Sequence, residues 1–566
     1  MTQSKRLTGQ QYLSIIACVL LTAMVSIYAM ATYMKGPLNG NFDHYLMQST
    51  RFGVPEDLKA HDVTALYQDE SISGWDGQFY YYIANDLLAQ KDTTSHIDAD
   101  AYRYQRVGIP MLSKLLSLVL FQDWVSPFIF YLTHFLLILL GTAVAARFFV
   151  KEGVPAYWII PWSVGMGTQI TLLNGLPDGA ADALLMIAMI AAYQNKYKVY
   201  AIAITFACLS REAYVAFPVI LFGAVVLERW IKKRSIKPYT DFFFLVCPII
   251  IFIAWQLFIR LRFTMTPAEQ SASVLGLPLK SLFVHMISGL QGHYPNVPVG
   301  FSSYVAGVGV ALFTLLLVWT LIVIIKTRPL TSMLEGNIVR NTAAGFTLIL
   351  CLLYFSFGDT VIWHFTGYMK AGGLFLFCIP FIAAITKQPL HKATFAFAMV
   401  ITVFFCLQGW RARIDQPPIK YKVDTQCKHL KIDISGTCFE KFVWQGDELP
   451  GLVGTIKEGK RVNEQGTTAS GYSSYGPYIE LPKGKYRVEL SISGEGADLG
   501  YMDIVGVSPS NVTTTLSKKS LPSGEDVKIE TFLDIPDSFI RSLEVRTWYQ
   551  SGNLSIQSLT IERLPN

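Results

Sequence analysis

"LSIIACVLLTAMVSIYAMATYM", residues 13–34, runs for 22 residues without a charged side chain. At about 1.5 Å per helical residue it exceeds the roughly 30 Å of a hydrocarbon core. Lys5 and Arg6 precede it and "YAMA" loosely resembles a cleavage site, so a signal peptide is the competing reading. The apolar region of such a peptide spans only about 7–15 residues, and this run is read instead as a retained anchor. Comparable runs recur up to about residue 410 and then stop. With 52% hydrophobic and 16% charged residues, the composition is that of a polytopic α-helical membrane protein rather than a soluble one. The net charge of +6 is small for this length. Its basic residues flank the apolar runs, which points to topology and away from nucleic acid.

Placing Lys and Arg on one side of the short loops predicts about eleven transmembrane helices, near 13–34, 125–148, 155–173, 181–195, 199–210, 214–229, 240–262, 302–326, 341–357, 371–386 and 392–409. The amino terminus is then cytoplasmic and the carboxyl terminus extracytoplasmic. Residues 1–412 form the membrane domain, with a long first external loop over 35–124. In that loop, "VGIPMLSKLLSLVL" from Val107 is too short to span and is interrupted by Lys114, so it is expected along the outer interface.

From residue 413 to 566 the pattern changes to short alternating segments. In "YIELPKGKYRVELSISG", Tyr486, Val488, Leu490 and Ile492 point one way and Arg487, Glu489 and Ser491 the other; "LEVRTWYQSGNLSIQSLTIERL" repeats this around a Ser-Gly-Asn turn. These features predict an extracytoplasmic β-sandwich, jelly-roll-like, which would hold a glycan acceptor or a partner protein. Tyr475, Tyr478 and Trp548 are candidates to stack on sugars, against the ordinary fate of core packing. Six cysteines lie in apolar runs as small buried residues, whereas Cys427 and Cys438 flank a polar stretch and are disulfide candidates if that side is oxidising.

The stretch "GWDGQFYYYIANDLL", residues 74–88, packs two acids and five aromatics into a short helical segment of the external loop. A helix there puts Asp76, Tyr80, Ile83 and Ala84 on one face, with Asp86 displaced from it. The plain reading is an interfacial helix with aromatics at headgroup depth and acids in water. The spacing D-x-x-x-Y-x-x-I-A-x-D nevertheless resembles the first-loop signature of GT-C glycosyltransferases, notably lipid A aminoarabinose transferases and protein O-mannosyltransferases. "DGQFYYYIANDLL" followed by "YRYQRVGIPMLSKLL" is similar to bacterial membrane proteins of cell-surface glycopolymer formation. The resemblance covers about residues 10–410 in topology and loosens after about residue 240.

It implies a polyprenyl-phosphate sugar donor, a glycan or glycolipid acceptor, the bacterial inner membrane as location, and an acid of the first loop as general base. The position that aligns is Asp76. A sugar hydroxyl is a poor nucleophile, and a carboxylate within reach takes its proton as the glycosidic bond forms. The departing lipid phosphate calls for cations, for which Arg103, Arg106, Arg211 and Lys370 are candidates. For each, the competing role is a headgroup anchor that fixes helix depth. Asp178 and Asp182, four residues apart, share a helix face and could hold an acceptor or a divalent metal, or simply favour a helix N-terminus. Tyr80, Asp86, Glu212, His293 and His364 complete the candidate acceptor or metal set. No Walker-type loop, dinucleotide glycine pattern or zinc cysteine cluster occurs, which disfavours a soluble nucleotide-sugar donor. A flippase or assembly component for lipid-linked saccharides is the alternative, but the notable polar residues gather at the outer face rather than the midplane.

Overall fold

The computed structural model describes residues 7–35, 38, 45–49, 51–63, 65, 74–231, 240–270, 274–295, 301–327, 338–363, 365–414, 441–481, 484–507, 513–535 and 540–564. His364, Cys427 and Cys438 lie outside them, and with them the disulfide expectation. The chain divides into two compact units, one built mainly from Gly74–Pro418 with the amino-terminal helix, the other mainly from Ile419–Asn566.

Among the described residues of the helical unit, eight helices are long and apolar enough to cross a membrane: Gly9–Lys35, Pro127–Lys151, Glu212–Ile231, Asp241–Arg262, Phe301–Lys326, Ile338–Phe355, Thr366–Thr386 and Lys392–Gly409. They coincide with eight of the expected spans. The other three expected segments fold into shorter pieces. Residues 155–173 become a 3-10 turn, Ala156–Ile159, and two helices, Ile160–Ser163 and Met166–Leu173, separated at Val164 and Gly165. The remaining two are Asp178–Tyr193, 16 residues, and Tyr197–Ser210, 14 residues. Asp178–Tyr193 is buried along its whole length from Asp178 to Ala192, so protein surrounds it on every face. The amino-terminal helix is the opposite case: Leu13, Ile16, Leu20, Met24 and Ile27 are all exposed, an apolar surface suited to hydrocarbon.

The long first loop carries helices of its own, including Gly77–Asn85, Asp100–Tyr104 and Gly108–Val119. The expected interfacial helix is the twelve-residue Gly108–Val119. Its inner side, Ile109, Ser113 and Ser117, is buried, while Leu115, Leu118 and Val119 are exposed. It starts at a glycine because a Cβ at Gly108 would overlap the Ser210 hydroxyl and the Phe206 carbonyl oxygen.

Among the described residues the second unit has eleven strands: β1 Lys441–Gln445, β2 Thr455–Lys457, β3 Lys460–Asn463, β4 Gly471–Ser474, β5 Pro477–Leu481, β6 Gly484–Glu495, β7 Gly500–Val507, β8 Thr513–Ser520, β9 Gly524–Ile535, β10 Ile540–Tyr549 and β11 Asn553–Leu564. One sheet runs β2-β3-β11-β6-β9 with β1 also on β11; the other runs β4-β10-β7-β8 with β5 also on β10. The alternation expected in β6 holds: Tyr486, Val488, Leu490 and Ile492 are fully buried and share one core with Met502 and Ile504 of β7 and Leu543 and Val545 of β10. Each such side chain contributes about 1.5–3 kcal/mol by leaving water, so two sheets with apolar inner faces stay together. β10 and β11, adjacent in sequence, sit in different sheets, so the Ser-Gly-Asn turn carries the chain from one layer to the other. Gly552 takes φ of 87° there, and its carbonyl accepts a hydrogen bond from the Tyr549 hydroxyl at 2.6 Å.

Candidate functional site

The Gly77–Asn85 helix is buried on all sides from Gly77 to Ala84, so the interfacial reading of this stretch is corrected: its aromatics are core rather than headgroup anchors. The physical reason lies at its first residue. A Cβ on Gly77 would overlap the Asn174 carbonyl oxygen, so only glycine lets this helix start press against the 174–175 turn that leads to Asp178. Sequence places Asp76 immediately before that contact.

Asp76 stands at the N-cap position yet makes no side-chain capping bond. Its Oδ2 accepts a hydrogen bond from Arg103 Nη1 at 3.0 Å, and the side chain remains 47% exposed. The carboxylate is thus paired on one side and open to solvent on the other. Burial pushes its proton affinity up, but Arg103, Lys370, Arg106 and the Arg103 hydrogen bond outweigh this and hold the carboxyl below its usual range. Asp76 is therefore an ionised carboxylate in a positive field.

Arg103 is 7% exposed and is fixed by a second acid. Its Nε and Nη2 donate to both oxygens of Asp98 at 2.9 and 2.8 Å, leaving Nη1 for Asp76. Phe79 supports the guanidinium at 5.0 Å from its ring centroid. Arg106 donates a matching fork to Glu212, at 2.9 and 2.7 Å, with Tyr80 Oη at 3.5 Å and the Tyr102 ring at 4.6 Å. Burial, partly offset by Arg106, pushes the Tyr102 phenol up to about 12, so it stays a hydrogen-bond donor near neutral pH. Lys370, in the Phe365–Gly372 helix, acts on both Asp76 and Asp178. Arg103 and Arg106, three residues apart, and Lys370 from a distant helix thus all act on Asp76.

Arg211, Asp178 and Asp182 form a second cluster with a different character. Arg211 donates to the Tyr214 and Tyr354 hydroxyls at 3.0 and 2.9 Å and lies 3.7 Å from Asp178 and 3.6 Å from Asp182. Asp182 also accepts from Tyr214 Oη and from the Trp162 indole at 3.4 Å. Asp182 is 2% exposed and Arg211 8%. This cluster is buried and internally hydrogen-bonded, and it is coupled to the first, since Lys370 and Arg106 act on Asp178 and Arg211 acts on Glu212.

Three other expected residues go elsewhere. Asp86 lies beyond the helix, and its carboxylate accepts the backbone N–H groups of Gln90 and Lys91 at 2.8 and 2.9 Å; it holds a turn. Glu212 is committed to Arg106. His293 is exposed, and among the described residues no side-chain interaction joins it to Asp76 or its cations. A histidine pair with an acid does occur nearby in sequence, His285 to Asp359 at 2.9 Å, which the sequence reading missed. Asp98 was missed too, although "DADAYRYQR" places it five residues before Arg103. Tyr354 lies 143 residues from Arg211 and carries no local signal. Among the described residues no group of three or more His, Cys, Asp or Glu side chains is arranged to hold a metal ion.

No family model and no curated protein matches this chain. Among solved structures, the C-terminal CBM6 of LamC, a marine laminarinase from Zobellia galactanivorans, is 14% identical with a TM-score of 0.16, covering 22% of this chain and 99% of the module. The CBM22-1–GH10 modules of xylanase 10B from Clostridium thermocellum, complexed with xylohexaose, are 13% identical with a TM-score of 0.17, covering 23% of this chain and 28% of that one. Likenesses at this level carry no functional argument.

Proposed function

We propose that the chain is a membrane glycosyltransferase of GT-C type, with Asp76 as general base. It moves a sugar from a polyprenyl-phosphate donor to a cell-surface glycan or lipid-linked acceptor. In this reading the three shorter helical segments complete eleven crossings. The protein lies in the bacterial inner membrane, with its amino terminus cytoplasmic and Asp76 and the β unit on the outer side. The observation that carries the proposal is the setting of Asp76: an ionised, half-exposed carboxylate, unused for capping, with Arg103, Arg106 and Lys370 acting on it.

The chemistry follows from that arrangement. A donor phosphate entering beside Arg103 and Lys370 competes with Asp76 for their charge. As those cations turn to the phosphate, the carboxylate loses its stabilising field and gains proton affinity. The acceptor hydroxyl then gives its proton to Asp76 as its oxygen bonds to the anomeric carbon, and the bond to the lipid phosphate breaks with its electrons leaving on phosphate oxygen. Arg103 and Lys370 take up that charge. Asp98 and Glu212 hold the two arginines in place.

The test is Asp76→Asn in purified, bilayer-reconstituted protein given a radiolabelled polyprenyl-phosphate sugar and the glycan extracted from a deletion strain. We expect transfer to fall by about 10²–10⁴-fold with unchanged yield and only a small drop in melting temperature. Transfer within a few-fold of wild type would remove Asp76 from the chemistry. Movement of the lipid-linked sugar across the bilayer without transfer would favour the flippase reading.

A further inference from the structure

In β10, Leu543, Val545, Thr547 and Tyr549 go into the sandwich, and the alternate residues Arg546 and Trp548 go outward. Trp548 is cross-strand partner to Tyr472 of β4 on one side and Tyr501 of β7 on the other. The ring centroids lie 5.0 Å apart for Tyr472, which stands edge-on at 89°, and 6.3 Å apart for Tyr501, nearly parallel at 10°. All three are only partly buried, although the core of this unit is complete without them.

The border of this aromatic row is ionic. Arg546 donates Nε to Asp503 Oδ1 at 2.8 Å, pairs through Nη2 with the other oxygen, and lies 5.3 Å from the Tyr472 ring centroid. The exposed Lys518 places its ammonium 3.6 Å from the Tyr501 centroid. An apolar protein partner is poorly served by such a face, because the core of a protein interface is depleted of charge. A sugar ring matches it on both counts. Its C–H face is apolar and packs on an aromatic ring, while its hydroxyl oxygens accept from guanidinium or ammonium donors beside it.

We propose that the outer face of the β4-β10-β7-β8 sheet is an oligosaccharide-binding site, with Trp548 as the central stacking ring and Arg546, held in place by the buried Asp503, as hydroxyl donor. This goes beyond the transferase reading and does not depend on it.

The experiment is calorimetric titration of the full chain in nanodiscs with xylohexaose, laminarihexaose and hexagalacturonate as probes. We expect saturable binding of at least one probe. Trp548→Ala should weaken it by about tenfold or more, and Trp548→Phe, which keeps a ring, by less than about threefold. If Trp548→Ala lowers the melting temperature, Tyr501→Ala carries the same expectation from a neighbouring outward position. Absence of saturable binding to all three probes overturns the proposal. So does binding that neither alanine variant changes, or binding of phosphatidylglycerol vesicles in place of sugars. Asp76→Asn should bind the probe as wild type does, so failure of this site and failure of the transferase reading are told apart.

Discussion

Two arginine–carboxylate clusters lie in the helical unit, built from the same chemical parts and differing in who can reach them. Around Arg103, the partner Asp76 is 47% exposed; around Arg211, the partners Asp178 and Asp182 are 7% and 2% exposed. Arg103 has one acid, Asp98, that takes two of its donors and leaves the third for a group open to solvent. Arg211 has every direction filled by tyrosine hydroxyls and acids. An open ion pair can exchange its partner for an incoming phosphate, whereas a closed one can only hold helices together. The difference leaves Asp76, rather than Asp178 or Asp182, as the carboxylate open to solvent.

Exchanging the roles of the two clusters is the sharpest way to break this contrast. Asp76→Asn should abolish transfer and lower the melting temperature only slightly, since a half-exposed ion pair contributes about 1 kcal/mol or less, while Asp182→Asn should act mainly on folding. Removing one member of a buried pair typically costs about 3–5 kcal/mol, so Asp182→Asn and Arg211→Met should show clear losses of thermal stability in detergent. Equal stability losses from Asp76→Asn and Asp182→Asn would erase the distinction.

Next in size is Gly77→Ala. Overpacking of this kind costs about 1–3 kcal/mol, and here it pushes the helix start away from the Asn174 carbonyl. Both transfer rate and melting temperature should fall, the rate more than in a surface control, because Asp76 moves with the helix.

The electrostatic contrast is tested by pH. The folded carboxyl of Asp76 lies below its ordinary value of about 3.9, so its ion pair contributes fully above that value and is lost as pH falls through the lower folded one. The acid limb of kcat/KM should therefore sit low in wild type and move upward in Arg103→Gln. An unmoved limb would mean that Arg103 does not set the state of Asp76. Smallest is Asp86→Ala, which removes two hydrogen bonds to backbone N–H groups and should cost about 1–2 kcal/mol by thermal melts, with kcat per folded molecule unchanged.

Much of this architecture was legible along the chain because it rests on short-range periodicity. Long uncharged runs mark eight helices, since length and composition alone decide whether a segment suits hydrocarbon. Alternation in β6 marks a two-faced strand for the same local reason. The internal helices were harder to bound: 181–195 reads as an ordinary span, but its neighbours are protein on every face, and 155–173 is broken at Val164 and Gly165.

The sequence by itself determined that Asp76 sits in a long loop beside aromatics, with Arg103 and Arg106 downstream, because those are facts of spacing. Only the tertiary structure decided that Asp76 stays half-exposed while Asp182 is sealed, that Asp86 holds a turn, and that Lys370 acts on Asp76. The reason is physical. Charge strength and pairing depend on which distant groups desolvate a side chain, and neither access to solvent nor a partner like Tyr354, 143 residues away from Arg211, leaves a periodic trace in the chain.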